Sequence, residues 1–147
     1  MKHRKDKFMI KGIHHVSMKT RNDAEYERVK KFYSEILGLK IIKECESCLL
    51  LDTGNGVVEI FRNGTEEAVR GVIRHFAFAV DDVKACVDAV SGAGYEVFVP
   101  MKEVDVGGDT NLHATIAFCK GPLGEEIEFF SSEWKKHLHK MKITGVV

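Results

Sequence analysis

A chain of 147 residues, 44% hydrophobic and 30% charged, is long enough for one domain with a real hydrophobic core. Its 22 basic and 22 acidic residues cancel, which argues against nucleic acid or an anionic membrane as a partner. No apolar run approaches the roughly 20 residues that a membrane-spanning helix needs.

The chain starts Met1-Lys2-His3-Arg4-Lys5-Asp6-Lys7, which is basic but lacks the apolar segment of a secretory signal, so a cytoplasmic location is expected. Ile13 to Met18 reads as a strand. Asn22-Asp23 offers a helix N-cap, and Tyr26, Val29, Phe32, Tyr33, Ile36 and Leu37 follow at helical spacing before Gly38 closes the helix. Leu39 to Lys43, Cys48 to Asp52 and Val57 to Arg62 read as three more strands, the last two joined by the turn signal Gly54-Asn55-Gly56. Asn63 to Gly71 is polar and suits a linker.

The same order then returns. Ile73 to Val80 reads as a strand, Asp81-Asp82 caps a helix bearing Val83, Cys86, Val87 and Val90, and Gly92 and Gly94 end it. Tyr95 to Val99, His113 to Cys119 and Glu126 to Phe130 read as strands, while Val104 to Leu112 is too irregular to assign. Ser132 to Lys142 is expected to form a charged helix carrying Trp134. The expected architecture is α+β, with two βαβββ modules spanning about residues 10–64 and 71–131 of a single domain (1–147).

The repetition extends to individual residues. Gly12-Ile13-His14-His15-Val16-Ser17-Met18 is echoed by Val72-Ile73-Arg74-His75-Phe76-Ala77-Phe78, and Val58-Glu59-Ile60-Phe61 by Ile127-Glu128-Phe129-Phe130. Side chains in a strand alternate faces. With Val16, Met18, Phe76 and Phe78 packed on the helices, His15 and His75 take the opposite face. Glu59 and Glu128 do the same opposite Val58, Ile60, Ile127 and Phe129. A lone histidine or glutamate in such a strand is usually structural or solvated. Matched positions in both halves favour a site instead, and two imidazoles with two carboxylates suit a divalent metal. His14 is assigned to the helix side, and His3, His137 and His139 to terminal segments. His113 has a cavity-facing position but no evident partner.

The four cysteines, Cys45, Cys48, Cys86 and Cys119, are too scattered for a disulfide framework. Cys45 and Cys48 lie in a strand-like run, where residues three apart point to opposite faces, so they read as ordinary reduced thiols.

These residues, with Phe32-Tyr33, Leu37-Gly38-Leu39, His75-Phe76-Ala77-Phe78-Ala79-Val80-Asp81-Asp82 and Gly124-Glu125-Glu126-Ile127-Glu128, resemble the vicinal oxygen chelate superfamily. That superfamily includes glyoxalase I, methylmalonyl-CoA epimerase, fosfomycin-resistance transferases, extradiol dioxygenases and bleomycin-resistance proteins. The resemblance covers Ile10 to Ser131 and implies tandem βαβββ modules forming a curved mixed sheet around a metal-binding cavity. Glutamate in both closing strands looks most like glyoxalase I, with His15, Glu59, His75 and Glu128 as metal ligands. Epimerases typically carry glutamine near the position of Glu59.

The resemblance further implies a lyase that isomerises a hemithioacetal of methylglyoxal to a 2-hydroxy thioester through a metal-stabilised enediolate. Nickel or zinc is implied ahead of manganese, cobalt or iron, with Glu128 or Glu59 as general base. Asn63 matches an asparagine that bacterial glyoxalases use on the thiol, although Asn63-Gly64 is equally a turn signal. Lys19 stands where arginine is usual, and lysine lacks arginine's two-pronged grip on a carboxylate, so the identity of the thiol cosubstrate is open. Small relatives of this kind commonly form homodimers, some with sites assembled from both subunits. The rival readings are an epimerase, a fosfomycin-type thiol transferase, a ring-cleaving dioxygenase and a non-catalytic drug-binding protein.

Overall fold

The structure is a computed structural model that describes residues 13–65, 71, 73–106 and 112–132. The first module consists of β1 (His15–Lys19), α1 (Asp23–Lys31), β2 (Lys40–Glu44), β3 (Cys48–Asp52) and β4 (Val57–Phe61). The second consists of β5 (Phe76–Ala79), α2 (Val83–Gly92), β6 (Val97–Val106), β7 (Leu112–Lys120) and β8 (Glu126–Ser132). Each module makes one four-stranded mixed sheet, in the orders β1-β4-β3-β2 and β5-β8-β7-β6. In each, the opening and closing strands run parallel and the others antiparallel. The α+β class and the duplicated βαβββ order are as the sequence predicts. The basic leader (1–12) and the Trp134 segment lie outside the described residues.

Local chemistry accounts for the helices. The Asn22 side chain accepts from the Glu25 N–H at 2.9 Å, and Asp82 caps α2 by accepting from the Ala85 N–H at 3.0 Å. After Lys31 the first helix widens into a π turn over Phe32–Ile36, where the Leu37 N–H reaches back to the Phe32 carbonyl at 2.9 Å. This turn swings both Phe32 and Tyr33 into the core, where both are fully buried. Gly38 follows at φ 73°, a left-handed conformation that favours glycine at a helix end.

Two strands depart most from expectation. The strand expected at Ile73 to Val80 shortens to Phe76–Ala79, leaving His75 just before it. The strand expected at Tyr95 to Val99 instead begins at Val97 and continues to Val106. Its register with β7 jumps between Val99 and Lys102. Pro100 falls in that irregularity, where a residue without an N–H does least damage to the ladder.

Both helices, together with the inner faces of both sheets, form one core. Tyr26, Val29, Phe32 and Tyr33 join Leu49, Leu51, Val58 and Ile60 of the first module and Val83, Val90, Ala117, Ile127 and Phe129 of the second. The modules are tied by an edge-on contact of Phe32 with Tyr95, ring centroids 4.6 Å apart. The Tyr33 hydroxyl also donates to Glu125 at 2.7 Å. The helix-side faces of the two sheets are thus buried against each other's module, which leaves the opposite faces for function. Among the described residues, no helix is long and apolar enough to cross a membrane.

Candidate metal centre

The two predicted His–Glu pairs occupy matching places in the two sheets. In the first, Ser17 pairs with Glu59 across the parallel β1–β4 ladder, and His15 precedes Ser17 by two residues. In the second, Ala77 pairs with Glu128 across β5–β8, and His75 precedes Ala77 by two residues. Strand alternation puts His15 on the same face as Glu59, and His75, just before β5, is placed beside Glu128 by direct contact. His15 Nε2 lies 3.9 Å from Glu59 Oε1, and His75 Nε2 lies 3.2 Å from Glu128 Oε2. The face assignments read from the sequence for these residues hold in the structure.

The surroundings of the pairs differ. The His15 side chain is 46% exposed and Glu59 21%, against 43% for His75 and 11% for Glu128. Burial pushes the Glu128 carboxyl above the ordinary range, and the adjoining His75 opposes that rise. The His75 ring rests edge-on against Phe118, with centroids 5.0 Å apart, which orients the imidazole. Phe118 is the direct cross-strand partner of Glu128.

His15 is oriented differently. Its Nδ1 lies 3.0 Å from Nδ1 of His14, so one ring donates and the other accepts. That arrangement leaves His15 Nε2 directed at Glu59. His14 itself is exposed rather than packed on the helix side, because it precedes the first residue of β1 and strand alternation does not bind it. His113 does have partners. Asp105 lies opposite it in the β6–β7 register, and its Nδ1 and Nε2 are 3.0 Å from Asp105 and 3.4 Å from Glu103. These bonds raise its pKa, but all three side chains are exposed, and the group is an ion-pair cluster of the surface.

Among the described residues, no three histidine, cysteine, aspartate or glutamate side chains come together as a metal site. Within one chain the quartet is therefore two His–Glu pairs. The donor chemistry of each pair, imidazole nitrogen beside carboxylate oxygen, suits a divalent ion such as nickel or zinc.

Lys19 and Asn63, singled out for substrate binding, line a cavity of about 1030 Å³ together with His75, Arg74, Phe98 and Lys120. Glu125, which sequence reasoning passed over, also lines it. Its carboxylate accepts from the Tyr33 hydroxyl and from the Leu123 N–H, each at 2.7 Å, and burial raises its pKa. The loop that holds it turns at Gly124 (φ 80°), and a glycine-bounded Gly121-Pro122-Leu123-Gly124 was the available signal.

Residues 12–129 match the family model of the Glyoxalase/Bleomycin resistance protein/Dioxygenase superfamily. The chain belongs to this superfamily. It is 32% identical over 115 residues to a protein of Vibrio parahaemolyticus named "Probable lactoylglutathione lyase", covering 70% of this chain and 80% of that one. It is 29% identical over 124 residues to lactoylglutathione lyase of Haemophilus influenzae, covering 76% and 88%. The crystal structure of a glyoxalase family protein from Enterococcus faecalis superposes with a TM-score of 0.64 at 25% identity, covering 84% of this chain and 99% of that one. The superfamily membership drawn from the sequence, and the α+β fold of two mixed sheets, are thereby shown.

Proposed function

We propose that this superfamily member is a divalent-metal-dependent lyase of the glyoxalase I type, which converts a hemithioacetal of methylglyoxal into a 2-hydroxy thioester. The observation that carries the reading is the duplicated His–Glu pair, His15–Glu59 and His75–Glu128, on the same face of each sheet in the same register relation. The names of the two lactoylglutathione lyases support it.

Because each chain separates the pairs, we place the complete site in a homodimer, with His15 and Glu59 from one subunit and His75 and Glu128 from its partner. The four side chains would hold nickel, zinc or a similar ion, which when bound supplies Lewis acidity to the adjacent oxygens of the substrate. Glu128 is the better placed general base of the two glutamates. It is the more buried of the two, burial raises its pKa, and a more basic carboxylate takes a carbon-bound proton more readily and returns it to the neighbouring carbon. Lys19 and Asn63, on the wall of the cavity that His75 also lines, are assigned to the thiol part of the substrate.

Purified protein loaded separately with nickel and zinc tests the reading against the hemithioacetal, methylmalonyl-CoA and fosfomycin. Turnover of the hemithioacetal is expected, with metal occupancy falling in Glu59→Gln and His75→Ala. Unchanged occupancy in both variants would remove the metal site, and turnover of the CoA ester alone would remove the glyoxalase assignment while leaving the metal site in place.

A further inference from the structure

The link between β2 and β3 is Cys45-Glu46-Ser47-Cys48, and the Cys45 N–H donates to the Cys48 carbonyl at 2.9 Å. The segment is therefore a hairpin turn rather than a strand-like run in which residues three apart point to opposite faces. Residues facing each other across a hairpin share a side of the sheet, so both thiols emerge together. Their sulfurs are 2.7 Å apart. That is closer than two sulfurs in van der Waals contact, and the Cα separation of a four-residue turn is below about 7 Å, within the span of a disulfide. Both cysteines are half-buried and so accessible in part, whereas Cys119 is buried.

The two thiols are also unequal. Hydrogen bonds from Cys48 and Ser47 hold the Cys45 thiol down at about 7, and the Cys45 contact together with burial pushes Cys48 up. One sulfur is thus prepared as a thiolate nucleophile and its neighbour as a protonated resolving thiol. Cys48 lies opposite Phe61, and Leu50 opposite Glu59, so Cys48 belongs to the ligand-bearing face of the first sheet. As a diagonal neighbour it stands on the order of 7–8 Å from Glu59.

We propose that Cys45 and Cys48 form a thiol–disulfide exchange site for small disulfides approaching that face. The Cys45 thiolate attacks one sulfur of R–S–S–R, forming Cys45–S–S–R and expelling RS⁻, which takes the proton of Cys48. The Cys48 thiolate then attacks the Cys45 sulfur, the Cys45–Cys48 bond forms, and the second RS⁻ leaves and is protonated by solvent. Two protein thiols are oxidised, and one small disulfide is reduced to two thiols. The proposal rests on the hairpin alone and is independent of metal binding.

Reduced full-length protein treated with glutathione disulfide, alkylated with iodoacetamide and mapped by mass spectrometry tests it. The wild type is expected to lose the mass of two hydrogens, with Cys45 linked to Cys48 and no retained adduct. Cys48→Ser is expected to keep a glutathionyl adduct on Cys45, and Cys45→Ser to form its adduct at least about tenfold more slowly. A wild-type adduct that persists on either cysteine, or full alkylation of both after prolonged exposure, would overturn the proposal. Because those wild-type outcomes decide it alone, a poorly folded variant would not rescue the idea.

Discussion

If the catalytic site combines one subunit's first module with its partner's second, two inactive variants should restore each other. One chain carries His15→Ala with Glu59→Gln, the other His75→Ala with Glu128→Gln. In a mixed dimer, one interface site collects all four substitutions and the other none. Random pairing of equal amounts makes about half of the dimers mixed, each with one intact site of two, so about a quarter of the wild-type sites return. The structure motivates the arithmetic. His15–Glu59 and His75–Glu128 are separate pairs in separate sheets, at 3.9 and 3.2 Å, and no third ligand joins either among the described residues. The assay is hemithioacetal turnover and bound metal per subunit after the variants are unfolded together and refolded. Recovery near a quarter in both readouts supports the shared site. A mixture no more active than the mean of its parents would refute the two-subunit reasoning, because a site within one chain cannot be repaired by pairing.

Other tests address the elements that hold the modules together. Tyr33→Phe removes a buried donor from Glu125 and is expected to cost roughly 1–3 kcal/mol in urea unfolding at neutral pH; a change of a few tenths would contradict the role given to this bond. A Cβ at Gly121 would collide with the Glu125 carboxylate, so Gly121→Ala should destabilise by roughly 1–3 kcal/mol. Adding Glu125→Ala should make the double variant much less costly than the two single effects combined, and simple additivity would dismiss the clash. Burial raises the Glu125 pKa, so the folded protein binds this proton more tightly than the unfolded chain does. Its contribution to stability is complete below the ordinary carboxyl value of 4.5 and is lost as pH rises through the raised folded value. The stability of the wild type minus that of Glu125→Gln should therefore fall with rising pH over that window, and a flat difference would be inconsistent with the assignment.

The period-two alternation made the faces of His15, Glu59, His75 and Glu128 legible in the sequence. Val16 and Met18, or Ile127 and Phe129, had to go inward, and His15 and Glu128 then had to point the other way. The break between the strands at Lys43 and Cys48 was legible, but the facing of Cys45 and Cys48 was not. Glu46-Ser47 contains no glycine, proline or asparagine to mark a turn, and the flanking residues suit a strand, so the facing of the two thiols was inverted. The length of β6 was hidden for the opposite reason. Pro100 reads as a breaker, yet the ladder absorbs it by shifting register.

Whether His15, Glu59, His75 and Glu128 come together within one chain was not fixed by the sequence, for a different physical reason. Local alternation fixes which side of its own sheet a residue occupies, but not how two sheets are placed. That placement is decided by contacts between distant residues, such as Tyr33 with Glu125, 92 positions apart, and Phe32 with Tyr95. Those contacts draw the helix sides of both modules into one core. Apolar faces buried against one another cannot also surround a polar site. The His–Glu pairs are left on the outer faces, with imidazoles 46% and 43% exposed. An ion held there by one pair would keep most of its coordination positions for water. A second copy that presented the complementary pair would fill them, and would also cover surface that a single chain leaves open. In the proposed two-subunit site, the packing that makes one chain stable is the same packing that leaves each pair open to a second copy.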